Sequence, residues 1–414
     1  MEAIVSSHDK TVPSVRIPAE LPDTVSQATI GVRGGLLRSS FEETAEAMYL
    51  TSGYVYKTAA EAEKAFSGEL DRYVYSRYGN PTISMFEERL RLIEGAPACF
   101  ATSTGMAAVF TSLGALLATG DRLVAARSLF GSCFVVCNEI LPRWGVETVF
   151  VDGDDLSQWE EALSVPTQAV FFETPSNPMQ ELVDIAAVCD LAHAAGAKVV
   201  LDNVFATPIL QQGFPLGADV VVYSGTKHID GQGRVLGGAI LGSQQYIDEP
   251  VQKLMRHTGP ALSPFNAWTL LKGLETLELR VRHQNSSALQ IAKFLESNPS
   301  VRQVRYPFLG SQPQYDLAKR QMAGGGTVVT FELDAPQGRA KERAFEVLDK
   351  VQIIDISNNL GDSKSLITHP ATTTHRAMGP EGRAAIGLGD GVVRVSVGLE
   401  GTEDLIADLD RALA

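Results

Sequence analysis

The sequence predicts an α/β fold in which a large, doubly wound and mostly parallel sheet is followed by a smaller C-terminal α/β domain. Two observations carry this prediction. Short apolar runs alternate with segments of helical spacing, the pattern of parallel strands joined by helices. The chain of 414 residues is also too long for one small core. We expect an N-terminal arm over residues 1–70, a large domain over 71–265 and a C-terminal domain over 266–414.

The composition argues against several classes of protein. Hydrophobic residues make up 44% and charged residues 20%, as in globular proteins. The net charge is -14 without a basic block, so we expect no nucleic-acid partner. No apolar run approaches the roughly 18 residues of a membrane span, and the first residues lack a signal pattern, so we expect a cytoplasmic protein. Cys99, Cys133, Cys137 and Cys189 form no metal-ligand cluster, which predicts free thiols and no metal.

The N-terminal part contains one loop of functional interest. Residues 1 to about 30 are polar and lack periodicity, which indicates an extended arm. Helical patterns cover residues 59–66 and a segment that starts after Thr82 and stops at Gly95. Between them, residues 73–82 combine aromatics with Arg77 and a Gly-Asn-Pro turn, typical of a constrained loop. Arg77 is either a phosphate or carboxylate ligand or an ordinary surface arginine.

Polar residues follow several predicted strands of the large sheet. Ala98–Ala101 leads into a Ser/Thr/Gly turn that opens a helix to about residue 117, and its free N–H groups suit a phosphate or simply a capped helix. Lys198–Leu201 ends at Asp202, and Val220–Tyr223 leads to Lys227. Ligands of parallel sheets bind at the carboxyl ends of the strands, so we expect these groups to meet there. The other predicted elements are strands at 123–126, 146–151, 169–172 and 237–241 and a helix at 184–195.

The C-terminal part contains an arginine in an apolar strand. Arg394 lies among valines in the predicted strand Val392–Val397, and it needs an anionic partner because an unpaired buried charge is costly. That partner is either a structural carboxylate or the carboxylate of a substrate. One long helix from 265 to about 298 links the two domains, and residues 357–361 form a polar loop. The other predicted elements are strands at 301–306, 327–333 and 351–356 and helices at 340–350 and 402–413.

Residues 219–234 contain the most informative group, Lys227, which is either an ordinary loop lysine or a buried amine able to attack a carbonyl. Together with residues elsewhere, it meets the needs of a pyridoxal phosphate site. Lys227 would form a Schiff base with the aldehyde, and Asp202 would keep the ring nitrogen protonated. The other candidates are Gly105, Met106, Ser224, Thr226, Tyr75 and Arg77 for the phosphate, Phe130 for the ring face and Arg394 for an amino acid's α-carboxylate.

Several spaced motifs resemble the Cys/Met-metabolism enzymes, the cystathionine γ-synthase-like branch of the fold-type I pyridoxal phosphate enzymes, over nearly the whole chain. These motifs are residues 75–82, 173–178, 201–203, 219–234 and 394–400. The resemblance implies fold type I, pyridoxal phosphate as the cofactor and a homo-oligomer. This oligomer is at least a dimer, and a homotetramer would consist of two such dimers. It implies that Tyr75 and Arg77 reach into the neighbouring subunit's site and that Tyr75 assists Lys227 in catalysis. It also implies a cofactor contact at Asn177 and a carboxylate contact at Ser357.

Within this family, residues 227–238 are most similar to members that act on O-succinyl-L-homoserine. The resemblance implies a γ-replacement in methionine biosynthesis that converts this substrate and sulfide to L-homocysteine and succinate. The alternatives are cysteine as the nucleophile, an acetylated substrate, or γ-elimination from methionine or cystathionine. Ser132 replaces the cysteine of methionine γ-lyases, which disfavours elimination. Arg234 is either a contact for the succinyl carboxylate or, as we favour, part of a structural salt bridge.

One departure from the family concerns the ring-stacking residue. Most members place a tyrosine there, whereas this chain has Phe130, which cannot move a proton. The acid–base role of that hydroxyl therefore falls to Lys227 itself or to Tyr75 of the partner subunit.

Overall fold

The computed structural model of this protein describes residues 21–22 and 24–414. The extended arm predicted for residues 1 to about 30 therefore lies mostly outside the described residues. From Gln27 onwards that prediction is wrong, because Gln27–Arg33 is a helix. The Ser26 hydroxyl caps it by accepting a hydrogen bond from the Thr29 N–H at 3.4 Å.

The described residues form two sheets surrounded by helices. The strands are β1 (Ala98–Thr102), β2 (Arg122–Ala126), β3 (Glu147–Val151), β4 (Ala169–Glu173), β5 (Lys198–Asp202), β6 (Val220–Ser224), β7 (Gly238–Gly242), β8 (Val301–Arg305), β9 (Val328–Leu333), β10 (Asp355–Ile356), β11 (Leu366–Thr368) and β12 (Val392–Ser396). The helices are α1 (Gln27–Arg33), α2 (Ala59–Ser67), α3 (Pro81–Glu94), α4 (Gly105–Leu116), α5 (Gly131–Val135), α6 (Leu156–Ala162), α7 (Ile185–Ala194), α8 (Thr207–Leu210), α9 (Gln244–Tyr246), α10 (Gln252–Thr258), α11 (Pro264–Leu274), α12 (Leu277–Ser297), α13 (Tyr315–Gln321), α14 (Ala340–Lys350), α15 (Gly379–Ala385) and α16 (Thr402–Leu413).

The large sheet has seven strands in the order β1-β7-β6-β5-β4-β2-β3. Strands β3, β2, β4, β5 and β6 run parallel to one another, and β7 is antiparallel to both β6 and β1. This arrangement confirms the predicted α/β fold with a mostly parallel sheet. Parallel strands bring their carboxyl ends to one edge, so the ends of β4, β5 and β6 lie next to each other.

Both faces of the large sheet are covered, as a parallel sheet requires. Successive side chains of a strand point to opposite faces. Along β4, Val170 and Phe172 pack into one hydrophobic cluster, whereas Phe171 packs into the cluster on the other face. Strands β2, β5 and β6 alternate in the same way. The near-continuous apolar runs of the sequence follow from this double burial.

The smaller sheet has five strands in the order β10-β11-β12-β9-β8, and only β10 and β11 pair in parallel. The strand predicted at 351–356 is too long, because only Asp355 and Ile356 pair with the neighbouring strand β11. The N–H groups of residues 352–354 instead donate to the carboxylate of Asp408 at 2.8–3.1 Å. The domain boundaries at residues 70 and 265 stay predictions.

The single long helix predicted from 265 to about 298 is wrong, since the structure has two helices, α11 and α12. The break lies at residues 275–276, and the buried guanidinium of Arg280, near the start of α12, reaches back to the end of α11. Arg280 donates to the carbonyl of Gly273 at 2.8 Å and to that of His228 at 2.7 Å. These bonds satisfy a carbonyl at the end of α11 and fix the segment after Lys227. In the described part of the chain, no helix is both long and apolar enough to cross a membrane.

Candidate active site

A cavity of about 310 Å³ lies at the carboxyl ends of β4, β5 and β6. The last residues of these strands, Glu173, Asp202 and Ser224, all line it. A volume of this size is enough for a small cofactor or ligand. The other lining residues are Thr104, Gly105, Met106, Val109, Phe130, Cys133, Asn177, Val204, Phe205, Val222, Tyr223, Thr226, Lys227, Leu236, Asn358, Leu360, Thr374 and Arg394.

Lys227 enters this cavity from the loop that follows β6. Its ammonium donates a hydrogen bond to the Oδ1 atom of Asn359. Burial, reinforced by the positive charge of Arg394, lowers the pKa of Lys227 from 10.5 to about 8. Near neutral pH this lysine therefore holds far more neutral amine than an ordinary lysine, as a nucleophile and base requires.

Asp202 lies at the end of β5 with 7% of its surface exposed. It accepts a hydrogen bond from the Val204 N–H at 3.1 Å, and no cationic side chain of the described residues lies within 4 Å of it. Burial raises the pKa of Asp202 from 3.8 to about 7. A carboxyl group in this state is suited to a cationic partner inside the cavity, such as a protonated ring nitrogen.

The N-terminus of α4 forms a cup next to Lys227. Thr104 caps the helix by accepting from the Ala107 N–H at 3.0 Å, which leaves the N–H groups of Gly105 and Met106 directed outwards at the positive end of the helix. A Cβ atom on Gly105 would lie 2.6 Å from the Cβ atom of Ser224, so only glycine lets these two backbones approach. With the hydroxyls of Ser224 and Thr226 nearby, the cup is suited to a phosphate.

Arg394 crosses the cavity from β12 with 1% of its surface exposed. Its guanidinium donates to Asn177 Oδ1 at 2.9 Å and to the carbonyls of Asn358 and Asn359 at 2.9 and 3.1 Å. Its Nε atom is buried without a partner, and no carboxylate within the described chain lies within 4 Å. Burial lowers the pKa of Arg394 to about 10 although Glu173 opposes this shift, so the residue remains a cation. Of the two partners considered for it, a carboxylate ligand fits these contacts.

The remaining predicted residues divide into two groups. Phe130 and Asn177 line the cavity, and the Phe130 N–H donates to Glu173 Oε2 at 2.8 Å. Ser357 does not line the cavity, and its hydroxyl instead accepts from the Asn359 N–H at 3.3 Å. The two residues after Ser357 approach the cavity instead, since Asn358 lines it and Asn359 bonds Lys227.

Tyr75 and Arg77 also lie outside the lining of this cavity. Tyr75 is 41% exposed. Arg77 donates to the carbonyl of Arg256, and its guanidinium lies 5.0–5.2 Å from the ring centres of Tyr75 and Tyr78. These residues form an aromatic and cationic cluster in which Tyr75 is exposed and Arg77 and Tyr78 are partly buried.

Sequence reasoning missed several residues of the site. Glu173 stands in a quoted motif but was given no role, and Asn359 and Thr374 come from segments whose folding depends on distant contacts. Gly131 of α5 packs against the carbonyl of Thr374, where an added Cβ would lie 2.9 Å away. Arg234 pairs with Asp230 at 2.9 Å and does not line the cavity, in agreement with the favoured salt bridge.

The residues of the cavity fit pyridoxal phosphate. Lys227, with its lowered pKa, is suited to the aldehyde, and Asp202, which has no cationic partner, is suited to the ring nitrogen. The N-terminus of α4 is suited to the phosphate. The unpartnered Nε atom of Arg394 leaves a donor free for an amino acid's carboxylate.

Comparisons with known proteins agree with this fit. A family model described as Cys/Met metabolism PLP-dependent enzyme matches residues 28–414. An O-succinylhomoserine sulfhydrylase of Mycobacterium tuberculosis is 83% identical over 97% of this chain and 99% of the relative. One from Pseudomonas aeruginosa is 46% identical, covering 93% of this chain and 94% of the relative. A crystal structure of cystathionine γ-synthase from Xanthomonas oryzae pv. oryzae superposes with a TM-score of 0.89 at 33% identity, covering 94% of this chain and 98% of that one.

Proposed function

This chain belongs to the Cys/Met metabolism PLP-dependent enzyme family, and we propose that it catalyses a γ-replacement, converting O-succinyl-L-homoserine and sulfide to L-homocysteine and succinate in methionine biosynthesis. The proposal rests on one observation, that a single cavity brings together three groups. These are Lys227 with its lowered pKa, Asp202 without a cationic partner and Arg394 without a carboxylate partner. The choice of substrates is supported by the similarity to the mycobacterial and pseudomonad sulfhydrylases.

Different residues of the protein bind different parts of the cofactor and of the substrate. Lys227, Asp202 and the N-terminus of α4 would hold the aldehyde, ring nitrogen and phosphate of pyridoxal phosphate, and Ser224, Thr226, Phe130 and Asn177 would complete its surroundings. Pyridoxal phosphate held by these residues would supply an aldehyde for the substrate amine and a protonated ring as a sink for the electron pair released at Cα. Arg394 binds the α-carboxylate and so orients the Cα proton toward Lys227.

Lys227 then acts as a base at two carbon atoms. Its neutral amine would remove the Cα proton, pass that proton to the cofactor-bound substrate and, neutral again, remove a proton from Cβ, which allows succinate to leave from Cγ with the bonding electron pair. Hydrosulfide forms the new bond at Cγ, and Lys227 returns the protons to Cβ and Cα. Phe130 has no hydroxyl with which to share this work, so Lys227 performs it with Tyr75 of the partner subunit.

Steady-state rates with four substrate pairs test this function. O-succinyl- and O-acetyl-homoserine are each combined with sulfide or with cysteine, and we expect the highest kcat/KM for the succinyl ester with sulfide. A preference for cysteine would instead indicate cystathionine γ-synthase, and a preference for the acetyl ester would indicate an acetylhomoserine enzyme. Release of 2-oxobutyrate from methionine or cystathionine without sulfide, at a comparable rate, would indicate a lyase.

The replacement Arg394→Lys should raise KM for O-succinylhomoserine about 10- to 100-fold while kcat changes less. Lysine keeps the charge but loses the forked donor pair and its bond to Asn177, and hydrogen bonds to charged groups contribute about 1.5–3 kcal/mol each. Arg302→Lys is the matched control, because Arg302 is about half exposed and pairs with Glu332 on the surface. An unchanged KM in Arg394→Lys would contradict a carboxylate-binding role.

We propose that the protein is a homo-oligomer, at least a dimer, whose active sites are shared between subunits. Tyr75 is exposed, Arg77 is partly buried, and neither lines the chain's own cavity, which supports their service in the site of the partner subunit. We propose a tetramer of two such dimers and a cytoplasmic location. The four cysteines are free, as is usual for proteins of a reducing compartment.

Shared sites predict that two inactive variants complement each other. Lys227→Ala and Arg77→Ala should each be nearly inactive alone, whereas co-expressed and co-purified through two different tags they should regain part of the wild-type activity. In a mixed dimer, one of the two sites then combines an intact Lys227 with an intact Arg77 of the partner subunit. If the purified mixed oligomer stays as inactive as its parents, Arg77 acts within its own chain or has no role in the site.

A further inference from the structure

Two buried carboxyl groups lie side by side at the floor of the cavity, and the proposed mechanism uses only one of them. Glu173 ends β4 and Asp202 ends β5, and these two residues are direct partners in the register of the parallel strands. Both line the cavity, with 4% and 7% of their surfaces exposed. Throughout the described residues, neither carboxyl group has a cationic side chain within 4 Å.

Glu173 connects two sides of the cavity. Its side chain bonds to the backbone at Phe130, which we call the Phe130 wall, and Glu173 is also the first residue of the turn 173–178. Its Oε2 atom accepts a hydrogen bond from the Phe130 N–H at 2.8 Å. Residues 173–178 form the turn that carries Asn177, whose Oδ1 atom accepts from Arg394 at 2.9 Å. The side chain of Glu173 thus joins the Phe130 wall to the turn that supports Arg394.

The charges around Glu173 favour one proton on the carboxyl pair. Two carboxylates next to each other in a dry site repel, so one of them stays protonated. Burial and the neighbouring Asp202 raise the pKa of Glu173 well above its ordinary 4.5, whereas the N–H groups of Phe130 and Asn177 and the more distant Arg394 act in the opposite direction. The Cys133 thiol is the other titratable group that feels both carboxyls, and its own raised pKa keeps it neutral.

The identity of the protonated member follows from the contacts of Asp202. In the proposed function Asp202 faces a protonated ring nitrogen, and such a partner keeps a carboxyl group ionised. Glu173 has no corresponding cation, since its hydrogen bonds come from neutral backbone N–H groups. The proton of the pair therefore belongs on Glu173 when the cofactor is bound.

We propose that Glu173 is a positioning residue whose carboxyl stays protonated in the working site, where it holds the Phe130 wall in place and leaves the negative charge on Asp202. This inference rests on the proposed function, because it assigns Asp202 to the ring nitrogen. A second carboxylate here would compete with the substrate for Arg394, which Glu173 already influences electrostatically.

The replacements Glu173→Gln and Glu173→Ala separate the two parts of the inference. Glutamine has the shape of a protonated glutamate and keeps one acceptor oxygen for the Phe130 N–H, so Glu173→Gln should bind pyridoxal phosphate within about threefold of the wild-type dissociation constant. Alanine leaves that buried N–H without a partner, so Glu173→Ala should bind it about tenfold more weakly or worse. The measurement is a titration of cofactor-free protein with pyridoxal phosphate, followed by visible absorbance.

A second readout reports charge rather than shape. The visible absorbance of the bound cofactor changes with pH as the nitrogen of Lys227 gains a proton, and a nearby negative charge raises the midpoint of that change. Because Glu173 is neutral in our proposal, Glu173→Gln should keep the wild-type midpoint. A midpoint that falls in Glu173→Gln, or cofactor binding as weak as that of Glu173→Ala, would show that the ionised form is needed and overturn the proposal.

Two further outcomes complete the test. Wild-type affinity in Glu173→Ala would remove the positioning role, and if this variant does not fold, Glu173→Met replaces it with a side chain of similar length that accepts no hydrogen bond. Failure of the proposed function looks different. In that case the wild-type protein itself binds no pyridoxal phosphate, or Lys227→Ala retains the visible band.

Discussion

Replacing Lys227 with alanine should abolish turnover and remove the visible absorbance band that marks the cofactor bound to this lysine. The loss should exceed the roughly 10²–10⁴-fold contribution of a general base alone, because the same amine also binds the aldehyde. The structure gives the reason that no neighbour can substitute. Among the described lysines, Lys227 is the one that lines the cavity, and its pKa of about 8 depends on that burial.

A matched lysine tests whether the effect is local. Lys293 is exposed on α12 and does not line the cavity, so Lys293→Ala should keep wild-type turnover, absorbance and thermal unfolding. Turnover and absorbance spectra of the two variants, measured at equal cofactor concentration, make the comparison. If Lys227→Ala kept more than a few per cent of the wild-type rate, the lysine would not be the base and the proposed chemistry would be wrong.

The strand-end residues of the site could be predicted because their signal is local. Val220–Ser224 is a short apolar run that ends in polar residues, and such a run becomes a buried parallel strand with a functional carboxyl end. The same reasoning applies to Asp202 and β5. The helix that opens after the Ser/Thr/Gly turn and the stop of α3 at Gly95 also depend on neighbouring residues alone, and both are confirmed.

The rest of the site depends on contacts between distant parts of the chain, which no local pattern contains. Asn359 bonds Lys227 from a loop whose carbonyls are held by Arg394, and no local feature of that loop distinguishes Asn359 from Ser357. Arg280 of α12 is a second example, because it bonds both the end of α11 and the segment after Lys227, the latter across some fifty residues of chain. Long-range hydrogen bonds of this kind set the details of a site after local patterns have set its strands.

Replacing Asp202 with asparagine should lower kcat about 10²–10³-fold, which is the size of effect expected when one preorganised charge facing a developing charge is removed. Asparagine has nearly the same shape but no negative charge to keep a ring nitrogen protonated. Cofactor affinity should fall as well, and titration with pyridoxal phosphate measures it. Asp154→Asn is the control, because Asp154 is exposed in the turn after β3 and does not line the cavity. Full activity of Asp202→Asn would show that the ring nitrogen has another partner.

The same replacement should change how the stability of cofactor-free protein depends on pH. The unfolded chain loses the Asp202 proton near pH 4, whereas burial keeps it on the folded chain up to a pKa of about 7. Between these values the folded state binds more protons, so its free energy of unfolding falls as the pH rises. Glu94, which is buried, and Glu87, which is partly buried, each have a pKa raised to about 7 by desolvation and contribute a slope of the same sign. Buried His228 and His375, with pKa values lowered to about 3 and 4, contribute a slope of the opposite sign up to about pH 6.5, so the difference between the two proteins is the test. From pH 5 to pH 8 the Tm of cofactor-free wild type should change more steeply downwards than that of Asp202→Asn. Equal slopes would mean that Asp202 is already ionised in the empty site.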